Sequence, residues 1–142
     1  MQLTSNDPQT TRNLGSKLAG KLMSGGVVAL TGDLGGGKTV FVKGLAKGLG
    51  IKAPILSPSF TIYRSYKVPG SDKRFHHFDF YRLDRPDEEV LGELAEYIEA
   101  GDIVAVEWAE KVRKFLPRKL TLVKFEVTDL HSRNIEIKGA YT

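Results

Sequence analysis

The chain has 142 residues, 41% of them hydrophobic, which suits one compact domain over 1–142 and leaves no room for a second. Its 21 lysines and arginines against 17 acids give a formal charge of +4, a balance that fits nucleic-acid contact or an ordinary solvated surface. There is no cysteine, which excludes disulfides and thiolate metal sites; the three histidines lack paired metal-ligand spacing, which argues against a zinc site; and no apolar run nears the ~20 residues of a membrane span.

Met1-Gln2-Leu3-Thr4-Ser5 lacks the basic-then-apolar order of a signal peptide, so a soluble, cytoplasmic protein is expected. Asp7-Pro8 opens the first helix, with Asn6 or Asp7 as cap and Pro8 at the first helical position. Leu14, Leu18 and Leu22 form its buried stripe, and Gly25-Gly26 is expected to end it. Val27-Val28-Ala29-Leu30-Thr31 then has the β-branched, apolar pattern of a buried parallel strand. It leads into Gly32-Asp33-Leu34-Gly35-Gly36-Gly37-Lys38-Thr39, a complete G-x-x-x-x-G-K-[ST] loop. Behind the loop, Phe41, Leu45 and Leu49 mark one face of a helix that closes near Gly48-Leu49-Gly50.

Strand, glycine loop and helix are the three parts a phosphate site requires. Gly35, Gly36 and Gly37 let backbone amides curl round phosphate oxygens, and the helix N-terminus adds partial positive charge. Lys38 would neutralise the outer phosphates, and the Thr39 hydroxyl would ligate Mg²⁺. A glycine-rich turn with a chance lysine would not account for the flanking strand and helix.

Pro54 to Pro58 is an extended, helix-averse connection. Thr61 to Val68 reads as a strand, Pro69 to Asp72 as a turn, and Arg74 to Tyr81 as the returning hairpin partner. Asp87-Glu88-Glu89 starts a helix running to Ala100, which Gly92 could interrupt. Ile103 to Trp108 is a second buried strand with Glu107 at its C-terminal end. A short basic helix follows, stopped at Pro117. Around it lies the densest basic cluster, Lys111, Arg113, Lys114, Arg118 and Lys119, which is either an RNA contact or a lysine-rich face. Leu120 to Thr128 alternates, and Arg133 to Lys138 pairs with it as a closing hairpin. The expected fold class is α/β, a P-loop NTPase-like mixed sheet with a parallel core, antiparallel edge strands and flanking helices.

Hydrolysis or transfer of phosphate also needs acids around the metal and the attacking water. Ligands of open α/β sheets gather at the carboxyl ends of the parallel strands, where Glu107 is expected beside the loop as a metal-side acid. Asp79, between Phe78 and Phe80, either pairs with Arg82 or another base, faces the nucleotide, or points outward from its hairpin. His76 and His77 read as hairpin residues rather than ligands. Trp108 is core packing or one wall of the site.

The P-loop string, Ser57-Pro58-Ser59-Phe60-Thr61, His77-Phe78-Asp79-Phe80-Tyr81-Arg82-Leu83, Gly92 before Glu96-Tyr97, and Val106-Glu107-Trp108 stand in one order. In that order the chain, from about Thr11 to Arg133, closely resembles the TsaE family, small ATPases of bacterial tRNA threonylcarbamoyladenosine biosynthesis. The resemblance implies ATP or ADP bound with Mg²⁺, Thr39 and Glu107 on the metal side, and Asp79 needed for hydrolysis. It further implies a switch-like loop at Ser57, Ser59 and Thr61. Arg133 would reach the nucleotide, and the segment from Asp7 to Thr11 would lie near the base. The family acts with TsaD and TsaB. TsaD transfers the threonylcarbamoyl group to the adenosine beside the anticodon of tRNAs reading A-starting codons. The TsaE member is a weak ATPase that resets the complex, and tRNA is met indirectly or by direct contact.

Two positions depart from the family pattern. Val40 replaces a hydroxyl residue, keeping the backbone amide for phosphate but losing a side-chain hydrogen bond of ~0.5–1.5 kcal/mol. Ser59 stands where threonine is usual. From the residues alone, a small-molecule or nucleotide kinase is the rival reading, although the chain has scant room for an acceptor pocket and lid. A nucleotide-gated RNA-binding module is another.

Overall fold

The computed structural model describes residues 1–33, 37–56, 58, 62–82 and 88–139. Among them the chain runs β1 (Gln2–Ser5), α1 (Pro8–Ala19), β2 (Gly26–Gly32), α2 (Lys38–Gly48), β3 (Tyr63–Lys67), β4 (Arg74–Asp79), α3 (Glu88–Glu99), β5 (Ile103–Glu107), a 3₁₀ helix (Ala109–Phe115), β6 (Thr121–Val127) and β7 (Arg133–Gly139). The strands form one sheet in the order β1-β7-β6-β2-β5-β4-β3. β6, β2, β5 and β4 run parallel. β7 and β1 extend one edge antiparallel, and β3 closes the other. The expected α/β class, with its parallel core and antiparallel edges, is the one observed.

β2 and β5 are nearly continuous apolar runs because both of their faces are covered. Val28, Leu30, Ile103 and Ala105 face α1 and α2. Val27, Ala29, Val104 and Val106 face the opposite core, with Leu94 of α3 and Val112 of the 3₁₀ helix. Asp7 caps α1, accepting 2.7 Å from the Thr10 amide, and that bond holds its carboxyl below the usual range. α1 and α2 meet backbone to backbone: a Cβ on Gly44 would lie 2.0 Å from the Arg12 carbonyl oxygen. That contact fixes α2, and with it the residues at its N-terminus.

The structure departs from the sequence expectations in five places. β1 was not anticipated; its pairing with β7 joins Gln2–Ser5 to Arg133–Glu136 across the whole chain length. α1 ends at Ala19, and Leu22 is buried from the turn beyond it rather than from the helix. Gly92 does not interrupt α3, which is continuous from Glu88 to Glu99. The short basic helix is 3₁₀ in type, with non-helical backbone at Val112. β3 begins at Tyr63 and β4 ends at Asp79, both shorter than the alternation suggested.

Candidate functional site

The carboxyl ends of β2, β5 and β4 come together beside the N-terminus of α2. Glu107 sits between Leu30 and Asp79 in the register of the three strands. Side chains alternate along a strand, so His77 and Asp79 share the face of Phe75, and Glu107 shares that of Ile103 and Ala105. All three therefore project toward the N-terminal end of α2.

Gly37 precedes α2 with φ of 97°, a left-handed turn that glycine adopts freely, and no side chain caps the helix. The first-turn amides have no intrahelical acceptor, which is the usual condition of a helix N-terminus that binds anions. Lys38 is only 5% exposed. Its ammonium donates to the Gly32 carbonyl at 2.7 Å and the Asp33 carbonyl at 3.1 Å. It also lies 3.9 Å from the centre of a Trp108 ring. Burial pushes the Lys38 pKa down, while Glu110, Glu107, Asp79 and Asp33 pull it back.

Thr39, next on α2, donates its hydroxyl to both oxygens of Glu107, at 3.0 and 3.2 Å. Glu107 is 3% exposed and also accepts from Nε2 of buried His77 at 2.5 Å. Nδ1 of that ring has no partner among the described residues, which assigns the proton to Nε2. His77, read from sequence as a hairpin residue, is thus a positioning group for the acid. Its alternation with Asp79 was the available signal. Asp79 accepts from the Tyr81 amide at 3.0 Å, and burial, then Glu107, raise its pKa. Its backbone amide donates to Ile62, whose own amide donates to Pro58.

Among the described residues no three His, Cys, Asp or Glu side chains form a cage for a metal. Mg²⁺ commonly takes only one or two protein oxygens and completes its shell with water and phosphate. The Thr39–Glu107 pair matches that donor set: the hydroxyl proton is given to the carboxylate, leaving its lone pairs for a cation.

A cavity of about 220 Å³ adjoins the helix start. It is lined by Gly37 and Val40 at the start of α2, Asp7 and Thr11 at the start of α1, and His131 and Arg133 from the far hairpin. Ser5 of β1 pairs directly with Arg133 of β7. The unanticipated strand is therefore what brings the start of α1 to Arg133. Trp108 has a left-handed backbone, φ 58°, and its ring lies against Lys38 and 5.2 Å from that of Tyr81. Of the residues singled out from sequence, the structure gathers Lys38, Thr39, Glu107, Asp79 and Trp108 at one point. Gly37, Val40 and Arg133 line the adjoining cavity. Gly35, Gly36, Ser57, Ser59 and Thr61 lie outside the described residues.

The family model described as threonylcarbamoyl adenosine biosynthesis protein TsaE matches residues 5–135. A protein of a Nostoc species named tRNA threonylcarbamoyladenosine biosynthesis protein TsaE is 40% identical over 138 residues, covering 92% of this chain and 81% of its own. One of the same name from Bacillus subtilis is 38% identical over 116 residues, covering 80% and 69%. The crystal structure of Bacillus subtilis YdiB superposes with a TM-score of 0.81 at 29% identity, over 98% of this chain and 84% of that one.

Proposed function

The chain belongs to the TsaE family of tRNA threonylcarbamoyladenosine biosynthesis, and on that premise we propose that it is a Mg²⁺-dependent P-loop ATPase driven by a TsaB–TsaD complex. It does not transfer the threonylcarbamoyl group. Its ATP cycle resets the complex between modifications of the adenosine beside the anticodon in tRNAs reading A-starting codons. The observation that carries this reading is the Thr39 hydroxyl resting on the Glu107 carboxylate, beside the Lys38 ammonium and the open start of α2.

Backbone amides from Gly37 onward hold the phosphates, joined by Lys38 once its ammonium exchanges the Gly32 and Asp33 carbonyls for phosphate oxygens. Thr39 and Glu107 would hold Mg²⁺, which neutralises phosphate charge. His77 keeps Glu107 turned toward Thr39. Asp79 stands next to Glu107 in register, and its raised pKa suits a carboxyl that orients the attacking water and takes its proton. The 220 Å³ cavity takes the nucleoside, with Arg133 at its wall. Trp108 restricts water over the lysine. Among the described residues no helix is long and apolar enough to cross a membrane.

The test mixes this chain with TsaB and TsaD and follows ATP hydrolysis and tRNA modification over several turnovers. Stoichiometric modification without the chain and catalytic modification with it are expected, and Asp79→Asn should keep nucleotide binding while losing turnover. Catalytic modification without the chain would refute the reading. So would transfer of phosphate from ATP to a sugar or nucleoside, which would mark a kinase.

A further inference from the structure

The sheet face opposite α1 and α2 opens into a cavity of about 610 Å³ between β2, β6 and the 3₁₀ helix. Its depth is aliphatic: Ala29 and Ala109 are buried, with half-buried Leu116, Leu120 and Leu122 around them. Its mouth holds three exposed cations, Arg113, Arg118 and Lys124, against one exposed carboxylate, Glu110. The nucleotide reading uses none of the three cations. Two of them belong to the basic cluster that the sequence left open between RNA contact and solvated surface.

The separation of charge from apolar surface selects the ligand. A small free anion would want a cation at depth, and the depth offers only aliphatic groups and the Thr31 hydroxyl. Single-stranded nucleic acid binds largely by stacking bases on aromatic rings, and none of the lining residues is aromatic. A second copy of a chain with net charge +4 would bring like charge to the same mouth. What fits is a segment that turns aliphatic side chains inward and carboxylates outward to either rim. We propose that this cavity docks an acidic, amphipathic segment of a protein partner, anchored by aliphatic side chains and clasped by Arg113, Arg118 and Lys124.

The position has a consequence for the nucleotide site. β2 runs from Ala29 and Thr31 in the cavity into Gly32, whose carbonyl holds the Lys38 ammonium. The 3₁₀ helix over the cavity follows directly on Trp108, whose ring covers that same ammonium. A partner seated there touches the supports of the phosphate site without entering it.

The probe is a synthetic peptide with leucines at helical spacing i, i+3, i+4, i+7 and glutamates between them, titrated into the full chain labelled at its alanine and leucine methyls. Saturable shifts are expected at Ala29, Leu116, Leu120 and Leu122. The triple variant Arg113→Glu, Arg118→Glu, Lys124→Glu should bind this peptide at least about tenfold more weakly, or ~1.4 kcal/mol, and should prefer the lysine counterpart. Arg118→Glu alone should lose part of the affinity in the same direction. The proposal is overturned if the peptide moves none of these methyls, or if a leucine-free glutamate peptide moves them equally. It is also overturned if the triple variant binds unchanged, or if an RNA hairpin displaces the peptide from the wild-type chain.

Discussion

Replacing Thr39 by valine removes one hydroxyl while nearly conserving shape, and so isolates the contact on which the metal-side reading rests. In the free protein that hydroxyl is a donor to both oxygens of a 3%-exposed carboxylate. A hydrogen bond to a charged group contributes ~1.5–3 kcal/mol, and the half-buried position of Thr39 argues for the lower end, ~1.5 kcal/mol. A chain of 142 residues has an unfolding entropy near ~0.3 kcal/mol per degree, so the melting temperature should fall by about 5 °C. The same change removes an orienting partner of Glu107 and, on the proposed function, a ligand of Mg²⁺. Affinity for ADP in excess chelator should stay near wild type, whereas the gain on adding Mg²⁺ should shrink about 10–100-fold. Differential scanning fluorimetry and calorimetry, each with and without Mg²⁺, give both numbers. Thr39→Ser should recover most of both losses. An unshifted melting temperature together with a full Mg²⁺ gain in Thr39→Val would refute the reasoning.

Gly44→Ala should lower stability by ~1–3 kcal/mol by thermal melting, because its Cβ would meet the Arg12 carbonyl oxygen at 2.0 Å. Gly92→Ala, with nothing within 4 Å of the added Cβ, should instead stabilise α3 by ~0.5–1 kcal/mol. His76 is fully buried between the Ser65 hydroxyl at 2.6 Å and Asp102 at 2.8 Å, and burial lowers its pKa below 6.5. The unfolded chain therefore takes up this proton first, so stability should fall as pH drops from 6.5 toward the folded-state pKa. Melting curves of His76→Gln should show a shallower fall over that window than wild type.

The parts of the site built from local sequence were legible before the fold was known. Strand, loop and helix lie within Val27 to Leu49, and Glu107 ends its own apolar run, so neither needs a distant partner to be recognised. The parts that were hidden depend on pairing across the chain. β1 has four residues, three of them exposed, and exists because β7 supplies hydrogen bonds from more than a hundred residues away. With it came the meeting of Asp7–Thr11 and Arg133, which the family resemblance implied and no local pattern showed. His77 meets Glu107 only through the β4–β5 register, so its alternation with Asp79 could mark its face but not its partner. The 3₁₀ helix buries Ala109 and Val112, a spacing of three that suits its tighter turn and an α-helix alike, so the helix type was not legible. Gly92 was a poor breaker because it occupies the exposed side of α3, where the backbone bonds alone carry the turn.

Isothermal titration of the intact chain with Mg-ADP, run beside Lys38→Ala, tests the central claim most directly. One nucleotide per chain should bind with measurable heat, and the heat should vanish when the ammonium that now rests on the Gly32 and Asp33 carbonyls is removed. Silence in the wild-type titration, or equal heats in the two proteins, would contradict a phosphate site at the start of α2.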